Sequence, residues 1–222
     1  MRFISFSGVD GSGKSTQLEL LRTKLVSQGK KVAYFHAIEF SLANKLSRYW
    51  KRQQSFVPGN ETAVTTASFF STLLREKFLL IDMLRFRFLY HSLKNQGYDY
   101  LLSDRSFYDS LIHIAFLSDH WLIHIGLKVL DVFLPRADMA LYFNLPPEVI
   151  MNRERVPEQG LSYLEAKTRL FEEKAPDWKM ITIDANKDRE LLNQEVQKLL
   201  ALWTNISTWI PLWKNSPRLS FG

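Results

Sequence analysis

Short runs of consecutive apolar residues alternate along the chain with longer stretches in which apolar side chains recur every three or four positions. The first rhythm marks strands buried on both faces, and the second marks helices with one buried stripe. Arg2 to Ser7 predicts the first strand. A helix follows from Lys14 to Ser27, with Leu18, Leu21 and Leu25 on one face and Gly29 as its stop. Val32 to Phe35 predicts a second strand, Leu42 to Gln54 a helix, and Ser55 to Thr62 a loop containing Pro58, Gly59 and Asn60. A long helix spans Ala67 to Gln96. Tyr100 to Ser103 is a third strand, and two helices with a break near Asp119 fill Tyr108 to Leu134. Met139 to Leu145 is the fourth strand, and Glu148 to Arg153 begins a helix. Ser162 and Glu165 read as a capping box opening another helix to Lys174. Met180 to Ile183 is the fifth strand, and Arg189 to Leu202 the last helix.

Strands alternating with helices predict an α/β fold: a five-stranded parallel sheet covered by helices on both faces. No linker divides residues 1–202, which read as one domain with a lid segment near 151–162. Residues 203–222 differ. They hold Trp203, Trp209 and Trp213 with Pro211 and Pro217, and read as a tail that packs back, contacts a partner or touches a membrane surface. The first of these is the expectation.

Composition narrows the picture only a little. The 222 residues are 46% hydrophobic and 23% charged, and Lys+Arg 29 against Asp+Glu 23 leaves a net charge of +6. That surplus suits anionic ligands. Absence of cysteine excludes disulfides and thiolate metal sites, which fits a reducing, cytoplasmic setting. Met1 to Phe6 runs straight into the glycine loop, so no cleaved leader is expected. The most apolar region, Leu111 to Leu134, is interrupted by charged residues and histidines, short of the ~18 apolar residues of a membrane span. The expected partners are therefore small nucleotides, with neither nucleic acid nor membrane.

The chemistry starts where the first strand ends. Gly8-Val9-Asp10-Gly11-Ser12-Gly13-Lys14-Ser15 matches G-x-x-x-x-G-K-[ST] in full, between a strand and a helix. Glycines let backbone N–H groups turn toward phosphates, and Lys14 reaches the β and γ phosphates. The Ser15 hydroxyl ligates Mg²⁺, and the helix aims its positive end at the anion. The predicted ligands are ATP and Mg²⁺, with Gly8, Gly11, Ser12, Gly13, Lys14, Ser15 and Thr16 in the ATP site. No guanine-reading N-K-x-D occurs. In Asn186-Lys187-Asp188-Arg189 the acid stands one place early. Asp104-Arg105, directly after the third strand, suits a second phosphate better than hydrolysis.

These motifs resemble the thymidylate kinases. Phe6 to Gln17 is similar to their opening, with Asp10 in the loop and Ser15-Thr16-Gln17 after it. Asp104-Arg105 is similar to their Asp-Arg-Tyr motif. Pro135 to Glu148 resembles the strand before their lid, Arg153 and Arg155 stand where they carry lid arginines, and Ile181 to Ala185 resembles their final strand. The resemblance covers roughly residues 2 to 200. It implies transfer from ATP to a nucleoside monophosphate, foremost dTMP, by a homodimer. It also implies roles. Asp10 would accept from the acceptor's sugar hydroxyl, Asp104 would hold Mg²⁺, and Arg105 would clamp the acceptor phosphate. Arg85 or Arg87 would hold its base or phosphate. Arg153, with Arg155 as second choice, would close over the transferring group, making Lys14, Asp104 and Arg153 the catalytic set. Tyr108 and Asp109 would complete the acceptor side, or only pack and cap a helix.

The chain also departs from that family. Gly11-Ser12 lacks an arginine, His36 to Phe40 replaces Arg-Glu-Pro, and Ser106 follows Arg105 where an aromatic is expected. Asp104-Arg105-Ser106 equally resembles the Glu-Arg-Ser of deoxynucleoside kinases, so a nucleoside acceptor stays open. So does a noncatalytic nucleotide-binding subunit that uses its tail as a contact. His113, His120 and His124 read as core or interface residues rather than a metal site. Phe69, Phe70, Phe78, Phe86 and Phe88 read as core, with one free to stack on a base.

Overall fold

The computed structural model describes residues 1–43, 67–153 and 157–209, the last five of these without their side chains. They form two compact units, Met1–Asn186 and Lys187–Gly222. The first is a parallel sheet of β1 (Arg2–Ser7), β2 (Val32–His36), β3 (Tyr100–Asp104), β4 (Met139–Asn144) and β5 (Ile181–Asp184), in the order β2-β3-β1-β4-β5. Its helices are α1 (Lys14–Ser27), α2 (Ala37–Phe40), α3 (Phe69–Asn95), α4 (Phe107–Leu117), α5 (Trp121–Phe133), α6 (Pro147–Met151) and α7 (Leu161–Lys174). Helix α8 (Arg189–Trp209) belongs to the second unit and runs past the predicted Leu202 end, taking in the start of the expected tail. The predicted helix beyond 43, the loop to Thr62, and residues 210–222 lie outside the described residues.

β1 is central. It pairs with β3 from Arg2↔Tyr100 to Phe6↔Asp104 and with β4 from Ile4↔Met139 to Ser7↔Tyr142. The chain reverses its strand order on either side of β1, and the crevice at such a switch point is where ligands bind in open parallel sheets. The phosphate loop and Asp104-Arg105 both leave the sheet there. Phe35, Phe86 and Phe107 meet beneath it, with ring centroids 4.7 to 5.7 Å apart, and fasten α3 and α4 to the β2–β3 side.

Helix α3 carries two apolar stripes. Thr72, Glu76, Leu79, Met83 and Phe86 are buried. Phe70, Leu74, Ile81, Leu84 and Phe88 form a second stripe at helical spacing and stand open, Phe70 and Phe88 at 79% and 77% exposed. The expectation that all five phenylalanines fill the core thus holds for Phe86 and fails for Phe70 and Phe88. Helix α5 behaves alike: Ile123 and Leu130 are buried, while Trp121, Ile125, Val129 and Val132 are exposed.

The capping boxes also fall elsewhere. Helix α7 opens two residues early, with Gly160 (φ 79°) at its N-cap in place of Ser162. Ser106 and Asp109 form the box that opens α4.

Candidate active site

β1 delivers the loop. Gly8 turns the chain with φ 140°, and a Cβ there would stand 2.7 Å from the Phe143 carbonyl oxygen. Only glycine can leave the sheet between β1 and β4. Gly13 (φ 88°) sits at the N-cap of α1, where no side chain caps the first turn. Those backbone N–H groups point their dipoles at whatever anion enters.

Lys14 is buried. Its Nζ donates to the Val9 carbonyl at 2.6 Å and to Ser12 Oγ at 3.2 Å. Burial, seconded by Arg105, lowers its pKa to about 8 against the opposing pull of Asp109, Asp10 and Asp104. Ser15 Oγ donates to Asp104 Oδ2 at 2.5 Å. The other carboxylate oxygen, Asp104 Oδ1, is buried with no hydrogen-bond partner among the described residues. A serine hydroxyl joined to a half-satisfied carboxylate is a hard-oxygen donor pair. It fits Mg²⁺, whose other ligands come from phosphate and water. Among the described residues no cluster of three acidic, histidine or cysteine side chains could hold a metal by itself.

Arg105 takes a left-handed backbone (φ 58°), uncommon for a residue with a side chain. Two backbone hydrogen bonds hold it there: its N–H donates to the Phe6 carbonyl at 3.1 Å, and its carbonyl accepts from Ala37 N–H at 3.0 Å. The side chain is thereby aimed at Asp10, with which it forms an ion pair. Burial alone would raise the Asp10 pKa. Arg105, Lys14 and Lys167 outweigh it and hold the carboxyl below its ordinary value.

The structure corrects part of the predicted acceptor side. Tyr108 is 1% exposed, its ring lies 5.1 Å from that of Trp178, and its hydroxyl accepts from Ala137 N–H. It is a core residue. Asp109 is committed within the chain, accepting from Ser7 Oγ at 2.7 Å, Ser106 N–H at 3.0 Å and Gly8 N–H at 3.2 Å. Burial raises its pKa, opposed first by Lys14. Asp109 therefore braces the loop's entry from below, with three of its roughly four acceptor sites engaged within the chain. Arg85 bonds to Asp82 at 2.5 Å and to the Phe40 carbonyl at 3.3 Å, and stacks on the Phe40 ring. It ties α2 to α3. Arg87 is exposed.

Arg153, just beyond α6, donates from Nη1 to the Gly11 carbonyl at 2.6 Å. Arg155 lies outside the described residues. Gly11 (φ 83°) is pinned from the same side, because a Cβ there would stand 2.8 Å from Ile150 Cγ2. One group near the loop escaped the sequence reading: Lys167, on the buried stripe of α7. A lysine amid Leu164, Thr168 and Phe171 was its only signal.

Comparison with known proteins agrees with this geometry. The family model described as thymidylate kinase matches residues 6–196. A thymidylate kinase of Schizosaccharomyces pombe is 24% identical over 210 residues, covering 90% of this chain and 91% of that one. One from Plasmodium falciparum is 26% identical over 207 residues, 89% and 88% of the two chains. One from Orientia tsutsugamushi is 26% identical over 186 residues, 79% and 77%.

Proposed function

The chain belongs to the thymidylate kinase family, and from that premise we propose that it transfers the γ-phosphoryl group of ATP to dTMP, yielding ADP and dTDP. One observation carries the reading furthest. A single loop holds Lys14 for the donor phosphates and, through the Asp10–Arg105 ion pair, reaches the acceptor side as well. A loop that touches both substrates is built for transfer between them rather than for hydrolysis.

In this reading, the loop N–H groups and Lys14 hold the β and γ phosphates. Ser15 and Asp104 would hold Mg²⁺, which offsets charge between donor phosphates when bound. Asp10 accepts from the sugar, and the incoming phosphate takes over Arg105. Arg153 reaches across the loop to the equatorial oxygens as they gain charge, supplying the arginine that Gly11-Ser12 lacks. Phosphoryl transfer asks little covalent chemistry of the protein, so positioning and charge suffice.

One other acceptor survives on a specific feature: a nucleoside, through Asp104-Arg105-Ser106. A coupled ADP-release assay across nucleosides and their monophosphates separates the two. We expect turnover with dTMP above all other acceptors, and Arg105→Ala to raise the dTMP KM about 10- to 100-fold. Turnover confined to nucleosides would reject the proposal.

The same reading takes the protein as a homodimer. The open apolar stripes of α3 and α5, two helices that pack on each other, offer apolar surface to a second copy. Light scattering should give twice the 26.0 kDa chain mass. Phe88→Glu should shift it toward the monomer, and a monomeric parent would refute the dimer.

A further inference from the structure

One charged cluster beside the loop has no task in the scheme above. Lys167 is 9% exposed, on the buried stripe of α7. Its Nζ donates to the Tyr163 hydroxyl at 2.9 Å and lies 4.9 Å from that ring's centroid. Tyr163 is set edge-on against Phe116 of α4, ring centroids 5.0 Å apart. One turn earlier on α4 stands His113. Arg75 of α3 lies within its electrostatic reach, with Nε buried and unpartnered among the described residues. Lys167 and His113 both act on Asp10, so the cluster adjoins the Asp10–Arg105 pair.

Three cations, Lys14, Arg105 and Lys167, gather round Asp10, with Asp104 and Asp109 nearby, and Asp109 accepts three hydrogen bonds within the chain. An ammonium has three donors. Among the described residues, the hydrogen bond to the Tyr163 hydroxyl engages one of them. Buried beside a neutral hydroxyl, it is stable in company with an anion and costly without one. The neighbours stay neutral: burial drives His113 down to about 3 and Tyr163 up to about 12. Because Tyr163 accepts from Lys167, its own proton points onward. The cluster thus presents two cations, Lys167 and Arg75, and two neutral polar groups, a match for a small oxyanion joined to an uncharged polar body.

We propose that Lys167, oriented by Tyr163, is an acceptor-binding residue that pairs with the acceptor's phosphate opposite Arg105. This rests on the nucleoside monophosphate reading and deepens it. Two cations from separate elements, Arg105 after β3 and Lys167 on α7, would grip the phosphate and set the preference for a monophosphate over a nucleoside.

Calorimetric titration of dTMP and of thymidine into the parent, Lys167→Met and Lys167→Arg decides it. Lys167→Met should weaken dTMP about 10- to 100-fold, leave thymidine and the ATP KM within about twofold, and regain part of the loss as Lys167→Arg. Equal losses for dTMP and thymidine, or undiminished dTMP binding, would overturn it. Should Lys167→Met fail to fold, Tyr163→Phe keeps the ring and frees the ammonium, and a dTMP-selective loss is again required. If the parent ignores dTMP but turns over another monophosphate, only the acceptor's name is wrong. The same comparison with that monophosphate and its nucleoside then decides Lys167. Turnover of nucleosides alone sinks both readings.

Discussion

Lys14→Ala is expected to lower kcat by about a thousandfold or more while the protein stays folded. Removal of a single preorganised donor to developing charge costs about 10²–10³ in kcat, and this one also anchors the ground-state phosphates. Folding should not suffer. The ammonium is buried and its two partners are a carbonyl and a hydroxyl, so the charged form is destabilised at rest, as its pKa of about 8 shows. That value fixes a second outcome. Bound phosphates favour the protonated lysine, whereas the empty site loses its proton above pH 8. Binding then takes up a proton, and ATP affinity should fall by up to about tenfold per pH unit above 8. The alanine variant should show no such slope. Full turnover by Lys14→Ala, or a parent whose ATP affinity is flat to pH 9.5, would contradict the assignment.

Asp104→Asn is expected to lower kcat by about 10²–10³ and to raise the Mg²⁺ concentration needed for half-maximal rate. The amide has the same shape and can still meet Ser15 Oγ, so β3 should keep its place. What disappears is the negative charge and the unpartnered Oδ1 acceptor. Because Arg105 is held by its own backbone bonds to Phe6 and Ala37, dTMP affinity should stay within about twofold. An unchanged Mg²⁺ requirement would remove Asp104 from the metal site.

The phosphate loop, the five strands and both helices of the 107–133 region are legible in sequence because each depends on local pattern: glycine spacing, apolar runs, a break at Ser118–His120. Where burial is decided by tertiary neighbours, the pattern misleads. Phe70 and Phe88 look like core because nothing local says that α3 has two apolar faces. Tyr108 and Asp109 stand beside Arg105 in sequence, yet α4 turns both away into packing and capping. Lys167 is the converse, distant in the chain and adjacent in space. Its only trace is a lysine on an apolar stripe, and snorkelling surface lysines look much the same.

The close approach of Ile150 to Gly11 couples the phosphate loop to helix α6. A side chain at Gly11 needs both a relaxed φ and a smaller residue at 150, so an arginine cannot migrate from lid to loop in one step. Lineages that carry it in the loop should have traded away the bulk at 150, and those built like this chain should be locked to Arg153. Gly11 and Ile150 are therefore a pair whose substitutions are expected to covary.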